Sequence, residues 1–181
     1  MSIALSALIT ARLSAAVLRR RRREHDVEVL EVDVSDVVAL AQFLRDDPDA
    51  ACELLDLTIV DRFGVAAIAD AARFLLVVML VSRQHQTRAR LEVVLDRESP
   101  TWPTLSNVWP AAWLYEREAM DLFGVVADGH TDPQRLILPE GFAGHPLRLD
   151  YRITKRQLSV PSPERGPRLV IDDPPAREGG R

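Results

Sequence analysis

Three carboxylates crowd into residues 113–124, WLYEREAMDLFG: Glu116, Glu118 and Asp121. Acid–base and metal chemistry both need carboxylates that converge on one space. On a helix, Glu116 and Glu118 stand two residues apart and project roughly 160° from each other, so they cannot flank one bond or share one ion. Glu118 and Asp121 do share an arc, but Arg117 lies beside them, and that spacing reads as a surface ion network. His130 and His145 each follow a glycine, in DGH and AGH. No H-x-x-x-H or H-x-x-E spacing and no cysteine accompanies them, so they read as hydrogen-bonding loop residues rather than zinc ligands. The single cysteine, Cys52, can form neither an internal disulfide nor a thiolate cluster and reads as a small buried hydrophobe. Gly-rich phosphate loops and a G-x-S-x-G nucleophile motif are absent. No catalytic, cofactor-binding or metal-ligating residue is expected in this chain.

Projected at about 100° per residue, Arg117, Glu118 and Asp121 occupy one arc with Leu114, and most apolar residues take the rest. Glu116 is the exception. It falls between Phe123 and Met120, near Trp113, where an unpaired carboxylate costs several kcal/mol. Its partner must be a cation or backbone N–H groups, and Arg135, Arg148 or an arginine of another chain is the expected donor. Gly124 supplies the left-handed position that ends the helix.

The elements that position these residues follow from periodicity. Ile3, Leu5, Leu8, Ile9 and Leu13 repeat at helical spacing. Val27 and Val29 alternate with charged neighbours, which predicts a hairpin turning near His25 and Asp26. Five consecutive arginines at 19–23, offset by Glu24, Asp26, Glu28, Glu31 and Asp33, read as an edge strand guarded by charge. A helix follows, with Ser35 as N-cap, stopping before Pro48. Strand-like runs cover 54–61, 73–82 and 88–96, the last two joined through the polar RQHQT. The order α-β-β-α-β-β-β-α predicts an α+β, two-layer sandwich with a mixed β-sheet. All three tryptophans fall at 102–113, and from Arg152 the text turns rich in Pro, Gly and charge. The expected organisation is one domain over 1–151 and an extended Pro-rich C-terminal arm over 152–181, because that composition cannot build its own core.

With 28% charged residues and a net charge of −4, the chain lacks the basic surplus that nucleic-acid binding requires. The N-terminal text places its charge after the apolar run, unlike a secretory signal. No run reaches the roughly 20 apolar residues of a membrane span. A soluble intracellular chain is expected.

The segments WPAAWLYEREAMDLFGVVADGH and EGFAGHPLRLDY strongly resemble the C subunit family of proton-pumping NADH:quinone oxidoreductase, respiratory complex I, a family shared with energy-converting [NiFe] hydrogenases. The match is carried by Glu116, Arg117, Glu118, Asp121, Leu122, Phe123, Gly124, Gly129, His130, Asp132 and Arg135, and continues through Gly144, His145, Pro146, Arg148, Asp150 and Tyr151. It extends over roughly residues 5–151 and departs at Thr131 and at Pro133 and Gln134; the arginine run looks peculiar to this chain. The resemblance implies a cofactor-free structural and assembly subunit of the hydrophilic arm, with these residues as motif and partner interface. It implies docking on the quinone-site D subunit, next to the B subunit and neighbouring hydrophilic-arm subunits. FMN, iron–sulfur clusters and quinone would reside in those partners, and the chain would be peripheral at the cytoplasmic face of the bacterial inner membrane. Electron transfer from NADH to quinone, coupled to proton translocation, would be an activity of the whole complex. The alternatives are the equivalent subunit of a membrane-bound [NiFe] hydrogenase complex and, in a different class, a stand-alone acid/base enzyme using Glu116 or His130.

Overall fold

Apolar residues run without interruption from Phe74 to Val81, which suits a central strand with a neighbour on each edge. The computed structural model, which describes residues 5–14, 17–25, 27–65 and 72–152, has this arrangement. Strand β4 (Phe74–Ser82) pairs antiparallel with β3 (Cys52–Asp61) on one side and β5 (Thr87–Leu95) on the other. The sheet continues from β5 to a parallel β2 (Val27–Val32) and an antiparallel β1 (Leu18–Glu24), giving the mixed order β1-β2-β5-β4-β3.

Three helices share the core with one face of this sheet: α1 (Leu5–Arg12), α2 (Val37–Asp46) and α3 (Ala112–Phe123). α2 buries Val37, Leu40, Ala41 and Leu44, the i, i+3, i+4, i+7 stripe that a packed helix needs. They share one core cluster with Leu30 and Val32 of β2, Leu57 and Ile59 of β3, and Leu76, Val78 and Leu80 of β4. Complete burial of each such side chain contributes about 1.5–3 kcal/mol.

Two local expectations need correction. The residue preceding α2 is Asp36, not Ser35, and it makes no side-chain cap bond. A turn over residues 33–36, closed by Asp36 N–H to Asp33 O at 3.0 Å, already has helical conformation at Asp36, so no extended capping residue precedes the helix. The second correction adds two strands to the expected order. β6 (Thr101–Pro103) and β7 (Val126–Asp128) form a small parallel sheet, with α3 as the crossover between them. Three-residue strands carry no readable period, and Pro103 argues against one.

The arginine run forms β1, an edge strand, as expected. The proposed arm over 152–181 lies outside the described residues, apart from Arg152, as does Asp26 at the hairpin turn.

Candidate functional site

β6 and the turn after it bring three donors to the inner side of α3. Glu116 is completely buried. Its Oε1 accepts the Leu105 backbone N–H at 2.6 Å and the Trp102 indole N–H at 3.3 Å. The Thr104 hydroxyl donates to Oε2 at 2.6 Å. The expected cation is therefore not the partner: neutral donors hold this carboxyl, while Arg135 and Arg148 bond elsewhere. The indole of Trp102, itself fully buried, would lack an acceptor without Glu116. This pair of buried needs explains the carboxyl on the apolar side of the helix.

Asp121 also departs from the expected surface network, because it is only 4% exposed. The chain after β7 folds back across its arc. Asp121 Oδ2 accepts three consecutive backbone N–H groups, from Leu136, Ile137 and Leu138, at 3.1, 2.8 and 2.9 Å. Oδ1 accepts from Arg135 Nη1 at 2.9 Å. Burial opposes ionisation of Asp121, but the Leu138 N–H, Arg135 and the other two amides outweigh it and hold the carboxyl below its ordinary value. Glu118 is exposed, and among the described residues its carboxylate has no partner. The three carboxylates of the segment thus face three different surroundings, and no two share a space.

Arg117 binds the same returning chain through the carbonyls of Gln134 and Arg135 at 2.9 and 3.0 Å, and pairs with Asp132 at 3.1 Å. His130 stacks on Trp113 with ring centroids 5.5 Å apart. The Asp132 N–H donates to His130 Nδ1 at 3.1 Å, so Nε2 carries the proton and donates to the Trp113 carbonyl at 2.9 Å. At Thr131, where the motif departs from its family, the hydroxyl accepts the Trp113 indole N–H at 3.2 Å. Gly129 adopts φ +82° beside Thr104.

The end of α3 is sealed by the second motif segment. Gly124 has φ 64° and donates to the Met120 carbonyl. A Cβ there would collide with the His145 ring and sit 2.8 Å from Arg148, so both handedness and space require glycine. His145 Nδ1 donates to the Asp121 carbonyl at 2.9 Å, and Arg148 caps the Phe123 and Gly124 carbonyls at 2.5 and 2.9 Å. Pro146 is half-buried in the turn between them. Tyr151 packs on Gly144 and stacks with Phe142 at 6.3 Å.

Arg73 and Asp61 complete the site and carry no motif that reveals them in the sequence. Arg73 is 6% exposed and makes two-point contacts with Asp61 at 2.7 and 2.9 Å and with Asp150 at 2.7 and 2.9 Å. Its guanidinium lies between the rings of Phe63 and Phe74. Asp61 and Asp150 together raise the Arg73 pKa, and Arg73 lowers that of Asp150. The available signal is positional: Asp61 closes one strand and Arg73 immediately precedes the next.

The polarity of the loop over residues 130–151 is inverted. His130, Asp132, Arg135, His145 and Arg148 turn inward to α3 and Asp150 to Arg73, while Thr131, Gln134 and Glu140 stay exposed; Ile137, Leu147 and Leu149 point outward at 57%, 48% and 63% exposure, with Leu114 of α3 at 50%. An irregular segment pinned at this many points displays those side chains rigidly, as a docking surface requires. Among the described residues, no three His, Cys, Asp or Glu side chains converge as a metal ion would need. Cys52 is buried and its thiol is pushed up to about 12. No helix among the described residues is long and apolar enough to cross a membrane.

The family described as respiratory-chain NADH dehydrogenase, 30 kDa subunit, matches residues 30–157. A protein from Xanthobacter autotrophicus, named as the C subunit of NADH-quinone oxidoreductase, is 41% identical over 150 residues, covering 83% of this chain and 69% of that protein. A protein of the same name from Methylobacterium radiotolerans is 42% identical over 125 residues, covering 69% of this chain and 56% of its own length. The chain therefore spans little more than half of that relative. Among solved structures, a trypsin-resistant fragment (1–134) of Nqo5 shares the fold, with TM-score 0.56 and 20% identity over 71% of this chain and 98% of the fragment.

Proposed function

The chain belongs to the family of the respiratory-chain NADH dehydrogenase 30 kDa subunit, and we propose that it is the C subunit of the hydrophilic arm of a proton-pumping NADH:quinone oxidoreductase. Its role there is positional. It holds no cofactor and no catalytic residue; FMN, iron–sulfur clusters and quinone belong to its partners. It docks on the quinone-site D subunit, next to the B subunit, and is peripheral to the cytoplasmic face of the membrane through the complex. Electron transfer between centres in different subunits requires fixed distances, so a rigid scaffold without chemistry of its own can be indispensable.

The inverted polarity of the 130–151 loop is the observation that supports this reading most directly. Asp121, Arg135, His145 and Arg148 spend their bonding capacity on backbone groups and on one another, and Glu116 spends its own on the Leu105 N–H, the Trp102 indole and the Thr104 hydroxyl. They build a frame rather than an active site. Affinity purification of the full chain from its native membranes tests the proposal. Recovery of a multisubunit assembly with NADH:quinone activity is expected, and recovery of a lone chain, or of one carrying its own flavin, iron or nickel, would overturn it.

A further inference from the structure

The docking face described above lies beside α3 and β3, at one edge of the sheet. The five arginines lie at the opposite edge, in β1, and the scaffold role makes no use of them. Glu24 faces Val27 across the end of the β1–β2 hairpin. In such a ladder the closing pair exchanges hydrogen bonds and the pairs alternate from there, so Arg20 and Arg22 are bonded inward. Arg21 and Arg23 consequently turn their backbone N–H and C=O groups to the open edge.

The charge on this edge is only partly neutralised. Arg19 pairs with Asp33, and Arg22 with Glu24 and Glu92. Arg20 and Arg21 are exposed and have no carboxylate partner among the described residues, and Arg23 reaches only the His25 carbonyl at 3.3 Å. Side chains alternate along a strand, so Arg20 projects on one face of the sheet and Arg21 and Arg23 on the other. The open backbone groups are therefore flanked by unpaired guanidinium groups on both sides.

We propose that β1 is a docking edge for an extended acidic segment of a partner protein, which adds to the sheet as a sixth strand. Free backbone groups supply the ladder, and carboxylates on the incoming strand meet the arginines above and below it. A guanidinium can grip a carboxylate at two points, which makes arginine better suited to this than to simple edge protection. Nucleic acid and lipid headgroups offer negative charge but no strand for the backbone groups of Arg21 and Arg23 to join. The inference does not depend on the identity of the multisubunit complex.

The test is titration of the full chain with a synthetic ten-residue peptide of alternating glutamate and threonine, read by calorimetry and by amide hydrogen exchange. Saturable binding that slows exchange at Arg21 and Arg23 is expected. Replacing two cations, as Arg20→Gln/Arg21→Gln, should weaken it about tenfold and flatten its salt dependence. Arg21→Pro keeps the inward ladder but removes an outward N–H, and should abolish exchange protection while circular dichroism stays unchanged. Peptide binding that Arg21→Pro leaves intact would overturn strand addition, as would no binding at all. Binding to phosphatidylglycerol vesicles with none to the peptide would overturn it equally, by identifying the edge as a lipid-binding strip.

Discussion

Arg73 and Asp150 are separated by 77 positions in the chain and joined by two hydrogen bonds of 2.9 and 2.7 Å. This contact ties the last described loop to the start of β4. The same guanidinium holds Asp61, which also accepts the Leu149 N–H at 2.9 Å.

The two carboxylates on Arg73 should respond unequally to mutation. The Asp61 side chain is 2% exposed, and Arg73→Gln would leave it charged and unpaired, at about 3–5 kcal/mol. Asp150 is 42% exposed, so Asp150→Asn should cost no more than about 1 kcal/mol. Urea denaturation midpoints of the two variants check the order.

Acid should unfold the protein through its buried carboxylates. Asp61 is burdened by burial but held below its ordinary pKa by Arg73 and the N–H groups of Leu149 and Phe63, and Asp121 is depressed in the same sense. A folded-state pKa below the unfolded value of about 3.9 means that the stabilisation is fully present above that pH. It is lost as pH falls through the depressed folded values. Thermal midpoints should therefore hold steady above about pH 5 and fall below pH 4, and Asp121→Asn should make the fall shallower.

Glu116→Ala should destabilise the fold by about 2–4 kcal/mol, because Trp102 and Leu105 lose their buried acceptor. Glu116→Gln should recover most of this. Its amide oxygen can keep the Leu105 and Trp102 bonds, while its NH₂ donates to the Thr104 hydroxyl, which can turn its own proton to Ser106 at 2.7 Å. Glu118→Ala, on the exposed arc, should stay within about 0.5 kcal/mol of the parent. Equal effects at positions 116 and 118 would contradict the assignment of the two faces.

The contrast between Glu116 and Asp121 shows how far the sequence can be read. Helical projection identifies Glu116 as buried because the signal is local: its neighbours on the arc are apolar. It also places the end of α3 at Gly124, and periodicity places β3, β4 and β5 to within two residues and pairs β1 with β2 as a hairpin. Projection misplaces Asp121 because its burial comes from residues 135–138, which carry no periodic pattern and return across the helix through tertiary contacts. The donors to Glu116 escape it for the same reason, since β6 is too short to read. Arg73 and Asp61 are paired across a chain reversal that local spacing does not encode.

Gly124→Ala should be among the most damaging changes of a single methyl. It forces a left-handed residue to carry a Cβ and pushes that atom into the His145 ring. The left-handed conformation costs about 1 kcal/mol and the displacement adds to it, for about 2–3 kcal/mol in all. Loss of the His145 to Asp121 carbonyl bond, read from the imidazole nitrogen resonances, would mark the displacement directly.

The 130–151 loop, in the proposed role, displays apolar side chains to a partner on a polar frame. Ile137→Glu/Leu149→Glu tests that role best, because both side chains are more than half exposed and only their backbone N–H groups, which glutamate keeps, belong to the frame. The isolated double variant should melt within about 2 °C of the parent, since exposed substitutions away from packing contacts move stability little. In cells lacking the natural subunit, it should fail to enter the NADH:quinone oxidoreductase assembly. A variant that assembles in full yield and restores activity would contradict the claim.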